Sequence, residues 1–140
     1  MIKKFIIRLL KLLVRLGFIG KVISFTYNGE GLSLNKFYAQ GHWRTRQSAK
    51  QEYKAIFEKI LQPAEGKYFF EKFYMVIFYN SRHDVDNVIG MEKVFTDCLK
   101  GKIVRGDGKV NFKGISIFYD KTLPKNTFEF VLIESHVKND

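Results

Sequence analysis

The sequence predicts an α+β fold, in which a small mixed β-sheet has two or three helices packed on it and an extra N-terminal amphipathic helix precedes it. The spacing of apolar residues alternates between helical and strand-like, in the order strand, helix, strand, helix, strand, strand. The chain has 140 residues, of which 46% are hydrophobic and two are proline, as in globular proteins. We therefore predict one domain, residues 21–140, after a helix at residues 1–20.

The N-terminal segment MIKKFIIRLLKLLVRLG combines a narrow basic stripe with a broad apolar surface. The stripe is formed at helical spacing by Lys4, Arg8, Lys11 and Arg15. Gly17 or Gly20 is expected to end the helix, and the charges interrupt each apolar run before about 18 residues, too short to cross a bilayer. The helix either packs on the body or a partner subunit, or lies on a membrane surface. The breadth of its apolar face favours packing.

The remaining elements follow from the same spacing. Strand-like segments are found at residues 21–28, 68–80, 109–120 and 126–136. Helical spacing is found at residues 46–62, before Pro63, and from Asp86 to Gly101. Residues 29–46 are predicted to form a loop, and the last two strands to form a hairpin through KTLPKN.

The formal charge of +10 indicates a polyanionic partner, such as nucleic acid or anionic lipid. Residues 1–22 contain six basic residues and no acidic one, so the remainder carries 10 − 6 = +4. Cys98 is the single cysteine, which excludes an internal disulfide, and the three histidines give no zinc-ligand spacing. These features indicate a cytoplasmic chain without zinc.

Two aspartates, Asp84 and Asp86, follow the apolar segment that ends at Asn80. In an extended segment, residues i and i+2 point to the same side, so both carboxylates can face one point. Carboxylates so arranged suit Mg²⁺ or Mn²⁺, and Asp107 in VRGDGKV is the candidate third ligand. The alternatives are structural: Asp86 as a helix N-cap and Asp107 as a turn residue.

The stretch DVDNVIGMEKVFTDCLKGKIVRGDGKV resembles the RusA-type Holliday junction resolvases, especially their phage-like members. Their pattern is D-x-D-N, then a lysine and an aspartate-x-leucine on the following helix, then a late aspartate before a strand. The matching residues here are Asp84, Asp86, Asn87, Lys93, Asp97, Leu99 and Asp107. A second block, SLNKFYAQGHWRTRQSAKQEY at residues 33–53, is similar to the early loop of the family.

The resemblance implies a homodimeric, Mg²⁺- or Mn²⁺-dependent endonuclease that resolves four-way DNA junctions in recombination and repair. It assigns the metal to Asp84, Asp86 and Asp107, and assigns Lys93 to the charge on the reacting phosphate. Asn87 and Asp97 would support this site. Many relatives carry functional residues at the positions of Gly90 and Gly106, so a non-catalytic nucleic-acid-binding module is the alternative.

DNA contacts are expected from the basic and aromatic residues around the early loop and from one residue beside the acidic pair. The candidates are Lys36, His42, Trp43, Arg44, Arg46 and Arg82. Cations bind phosphates, and an aromatic ring can stack on an exposed base. Trp43 is alternatively a core anchor.

Overall fold

The computed structural model describes residues 2–31 and 43–138, except for the side chains of residues 43–46 and 49. Within them lie three α-helices, a short 3-10 helix at Gln62–Ala64 and one four-stranded sheet. The helices are α1 (Ile2–Arg15), α2 (Trp43–Leu61) and α3 (Val85–Leu99). The strands are β1 (Ile19–Asn28), β2 (Phe73–Asn80), β3 (Phe112–Tyr119) and β4 (Thr127–Ser135). The predicted fold class is confirmed.

The strand order is β1-β4-β2-β3, with β4 antiparallel to both of its neighbours and β2 parallel to β3. The predicted hairpin of the last two strands is therefore wrong, because β2 lies between them. The central place of β4 matches its sequence, TFEFVLIES, which is buried on both faces along most of its length. β3 is more exposed and forms one edge of the sheet.

The inner face of the sheet packs against α2 and α3 through a core rich in aromatic residues. The rings of Phe95 on α3 and Phe130 on β4 stack with their centroids 4.0 Å apart. Phe57 on α2 meets both rings edge-on, at 5.4 and 5.8 Å. All three side chains are essentially inaccessible to solvent, so this cluster fixes both helices on the sheet.

The outer face of the sheet is partly covered by α1. Ile6, Leu10 and Leu13 pack against an apolar cluster formed by Ile19, Val76, Phe78, Val131 and Ile133. Lys3 also forms an ion pair of 2.7 Å with Glu129 on β4. The helix thus packs on the body, as the breadth of its apolar face predicts, but it uses one narrow face to do so. In the described parts of the chain, no helix has both the length and the apolar character needed to cross a membrane.

Several element boundaries differ from the predicted ones. Helix α2 begins at Trp43, inside the predicted loop, and β2 begins at Phe73, because residues 68–72 form only an isolated bridge and a bend. Gly17 has a φ of +80° and follows α1, whereas Gly20 already belongs to β1. Gly101, with a φ of +77°, follows α3 as predicted.

Replacement of a ring in the aromatic cluster is expected to destabilise the fold strongly. We expect Phe95→Ala to lower the free energy of unfolding by about 3–5 kcal/mol, because the cavity cannot close between two helices and a sheet. Phe69→Ala is the matched control, since that ring is half exposed, and its cost should be below about 1 kcal/mol. Urea unfolding measures both, and equal costs would contradict the assigned core.

Candidate functional site

Strands β1, β2 and β3 end at the same edge of the sheet, here called the carboxyl edge. In open sheets with parallel strands, ligands bind in the crevice outside such strand ends. A polar crevice of about 410 Å³ lies at this edge. It is lined by Glu30, Gly31, Asn80, Ser81, Arg82, His83, Tyr119, Lys125 and Asn126. The three segments that follow β1, β2 and β3 therefore contribute to one site.

Hydrogen bonds hold these segments together. The side-chain amide of Asn80 donates to the carbonyl oxygen of Leu123 at 2.6 Å, which joins the end of β2 to the segment after β3. Nε2 of His83 lies 3.2 Å from the carbonyl oxygen of Gly31. A Cβ atom at Gly31 would lie 2.8 Å from ring atoms of His83 and Phe128, so this approach requires glycine.

The acidic pair lies beside this crevice at the N-terminus of α3. Asp84 is the N-cap residue and makes no capping hydrogen bond through its side chain, whereas Asp86 lies in the first turn. The prediction of Asp86 as the N-cap is thus wrong, because the N-cap lies two residues earlier. The helix begins at Val85, so Asp84 and Asp86 do not lie in an extended segment and the i, i+2 geometry does not apply. Both carboxylates are exposed, and the positive end of the helix dipole favours their charge.

The hydroxyl of Tyr79, at the end of β2, is affected by both of these charges. The pKa of the Tyr79 hydroxyl is raised, mainly by burial and then by the charges of Asp84 and Asp86 and by Tyr119. The rings of Tyr79 and Tyr119 lie 5.7 Å apart at the ends of β2 and β3. Both aspartates are therefore close enough to the carboxyl edge to act on the same hydroxyl.

Asp107 lies elsewhere, in the connection from the end of α3 to the start of β3. Its carboxylate is 3.3 Å from Nζ of Lys100, which is also 3.2 Å from Asp97. The two carboxylates raise the pKa of Lys100. Nearby in the same connection, Arg105 contacts Glu71, just before β2 begins. This is the edge opposite the carboxyl edge, and the eight residues of β2 span roughly 26 Å between the two.

The structure therefore brings Asp84 and Asp86 close together but does not bring Asp107 to them. Asp97 and Asp107 both contact the ammonium group of Lys100. Asp97 lies about 16 Å further along α3 than Asp86. Across residues 2–31 and 43–138, no group of three or more His, Cys, Asp or Glu side chains is placed to hold a metal ion. The predicted convergence of three aspartates is not seen in this arrangement.

The other candidates on α3 follow the helix away from the crevice. Lys93 is exposed two turns after Asp86, and Asn87 is half-buried in the first turn, where its backbone N–H donates to the carbonyl oxygen of Asp84 at 3.0 Å. Asp97 forms ion pairs with Lys100 and, at 3.6 Å, with Lys50 on α2. Asp97 thus links α3 to α2, a structural role that the sequence did not predict.

The candidate DNA-binding residues fall into three groups. Lys36 and His42 lie outside the described residues. Trp43, Arg44 and Arg46 belong to the first turns of α2, so the backbone there is helical and not the predicted loop. Tyr53, ten residues into α2, donates to the carbonyl oxygen of Glu30 at 2.7 Å, which joins the middle of α2 to the segment after β1. Arg82 lines the crevice as an exposed side chain.

Lys125 and Asn126 also line the crevice, and sequence reasoning missed them. They belong to KTLPKN, which the sequence predicts to be a hairpin turn without a functional role. The parallel pairing of β2 with β3 brings this segment beside Asn80 and Arg82. An available signal was the polar and basic Lys-Asn pair at positions 125–126, where the next predicted strand begins.

No protein-family model matches this chain, and no curated protein matches it at a significant level. The resemblance to RusA-type resolvases therefore stays a prediction from the motif residues, and the functional argument depends on the geometry of the site.

The segment that carries Lys125 is anchored by Asp120. Oδ1 of Asp120 accepts hydrogen bonds from the backbone N–H of Thr122 at 2.9 Å and from its hydroxyl at 2.6 Å. The hydrogen bond from the Thr122 hydroxyl has the larger effect. Together the two bonds lower the pKa of Asp120 below its usual value of 3.8. The ionised side chain thus stabilises the turn that positions one wall of the crevice.

A lowered pKa gives a defined dependence of stability on pH. The contribution of Asp120 is fully present above pH values near 3.8 and is lost as the pH falls through the lower pKa of the folded state. We expect Asp120→Asn to be less stable than wild type at pH 6, with a difference that shrinks below pH 3.8. Urea unfolding from pH 6 to pH 3 measures it, and a difference independent of pH would contradict this role.

Proposed function

We propose that this protein is a divalent-metal-dependent endonuclease that acts on branched DNA, with the phosphodiester bound at the carboxyl edge. The observation that carries the proposal is the position of Asp84 and Asp86, exposed and beside a polar crevice that contains Arg82 and Lys125. The resemblance to RusA-type resolvases supplies the substrate, a four-way junction. A cytoplasmic location and a homodimer able to cut two opposing strands are parts of the same proposal.

The residues at the carboxyl edge suit a metal site in which the substrate phosphate supplies a further ligand. Mg²⁺ is commonly held in proteins by one or two carboxylates together with waters and substrate phosphate, so Asp84 and Asp86 are a sufficient protein contribution. When bound, such an ion supplies a water of lowered pKa and offsets charge on the phosphate. Arg82 and Lys125 would bind neighbouring phosphates and hold the backbone against the acidic pair.

Lys93 and Asp107 are the two further residues of the predicted catalytic site, and only Lys93 keeps a role in the proposal. Lys93 lies on the exposed side of α3 and is proposed to offset charge on the DNA near the acidic pair, as the resemblance implies. Asp107 has a structural explanation in its contact with Lys100. The proposal therefore assigns the metal to Asp84 and Asp86 and treats Asp107 as the residue that tests the three-aspartate version.

A junction-cleavage assay with Mg²⁺ or Mn²⁺ tests this assignment. We expect Asp86→Asn to lower the cleavage rate at least about a hundredfold while junction binding is retained, because one ligand charge is lost from the metal site. Asp107→Asn is the matched control, an equal change on the opposite edge, and should cleave within about threefold of wild type. Loss of cleavage in Asp107→Asn, with binding and stability retained, would overturn the two-aspartate site.

A non-catalytic nucleic-acid-binding module is the second candidate. The resemblance itself favours it, because Gly90 and Gly106 stand where many relatives carry functional residues. Wild-type protein that binds the junction but does not nick it under any of these metal conditions would support this candidate and reject the endonuclease.

Both candidates require the crevice to bind phosphate, which gives a salt-dependent signature. Each lost phosphate contact should reduce the slope of log K against log salt by about 1, so Arg82→Gln with Lys125→Gln should reduce it by about 2. Lys109→Gln is the control, because Lys109 is an exposed lysine in the connection at the opposite edge. Fluorescence anisotropy with labelled junction DNA measures the slopes, and an unchanged slope in the double variant would exclude this crevice as the phosphate site.

A further inference from the structure

Helix α1 carries three parallel stripes, each displaced from the next by one residue, which is about 100° around the helix. The sheet-facing stripe is Ile6, Leu10 and Leu13. The next is an apolar stripe formed by Phe5, Leu9, Leu12 and Leu16, and beyond it is the basic stripe formed by Lys4, Arg8, Lys11 and Arg15. The apolar and basic stripes both repeat at i, i+4, i+7 and i+11, so each runs the full length of the helix.

The apolar stripe is not covered by the body. Exposure of its side chains ranges from 43% for Leu9 to 66% for Phe5, and no residue of α1 is fully buried. Leu16 directly follows the helix, and Phe18, two residues further on, is also half exposed. Phe5, Leu9 and Leu12 on the helix, with Leu16 directly after it, form one row of large exposed apolar side chains, which is unusual on a protein that remains in water.

The basic stripe lies directly beside this apolar row. All four of its side chains are exposed, and none forms an ion pair with another described residue. Lys3 differs from them, since it is paired with Glu129 and directed to the sheet. Helix α1 therefore presents two adjacent and complementary surfaces, one apolar and one cationic, on the side away from its packing contact.

We propose that α1 docks this protein on an anionic lipid surface, with Phe5, Leu9, Leu12 and Leu16 inserted among the acyl chains. Long basic side chains at the flank of an inserted helix extend to the phosphate level while their stems cover apolar surface. The stripe order on α1 provides this geometry, and the sheet-facing stripe keeps the helix attached to the body. The docking is independent of the proposed nuclease activity.

Other partners fit the two stripes less well. DNA would engage the basic stripe and leave the apolar row in water. A second copy packed through the apolar row would cover that row, but its own α1 contains no acidic residue to pair with the basic stripe. An anionic bilayer satisfies both stripes at once, because it offers hydrocarbon and negative charge at adjacent depths.

Vesicle flotation with the full chain tests the proposal, using phosphatidylcholine vesicles with and without phosphatidylserine. We expect binding to the mixed vesicles, with at least about a tenfold loss in Leu9→Gln with Leu12→Gln. Arg8→Gln with Lys11→Gln should lose about thirtyfold. The matched control is Ile7→Gln with Val14→Gln, on the opposite flank of the helix, which are 41% and 45% exposed and should bind as wild type does.

Each contrary outcome identifies a different occupant. No binding by wild type, equal binding to both vesicle types, or an equal loss in the control variant would overturn the proposal. A dimer in sedimentation velocity that Leu9→Gln with Leu12→Gln converts to a monomer, without vesicle binding, would assign the apolar row to a second copy. Junction affinity that depends on Arg8 and Lys11, again without vesicle binding, would assign the basic stripe to DNA.

Discussion

The insertion of β4 between β1 and β2 is the constraint on which the rest of the structure depends. β4 exchanges hydrogen bonds with both neighbours and buries side chains on both faces of the sheet. Its inner residues complete the aromatic core below α2 and α3, and its outer residues form the surface on which α1 packs. Because β4 comes last among the strands, the sheet is complete only when the C-terminal part of the chain is in place. Most of the stabilising contacts are therefore distant in sequence.

The same insertion determines where polar segments can meet. With β4 reversed, the other three strands point in one direction, and the segments after them gather at one edge. That edge collects Asp84 and Asp86 with Arg82 and Lys125, whereas the connection before β3 places Asp107 at the other edge. A functional site at this edge can use the segments that follow β1, β2 and β3 without any rearrangement of the core.

The sequence predicted local features well and spatial neighbours poorly. The fold class, the N-terminal helix, and the presence and type of each element could be predicted, because periodicity and glycine positions are properties of short segments. The partner of a strand is not such a property. The alternation in residues 109–120 and 126–136 is compatible with a hairpin, and nothing within it shows that β2 separates the two strands. The same limit applies to Asp107, whose distance from Asp86 depends on the direction in which the chain crosses the sheet, and to Lys125, which becomes relevant only beside Arg82.

The way α1 covers the outer face of the sheet has a consequence for shortened forms of this protein. Removal of residues 2–15 would expose the outer surfaces of Val76, Phe78, Val131 and Ile133, which α1 now shields. The shortened chain would then present a flat hydrophobic sheet surface to water, which favours self-association and precipitation. Helix α1 thus shields the hydrophobic outer face of the sheet. Single substitutions in its apolar or basic stripe can change what the helix binds and still leave the sheet shielded.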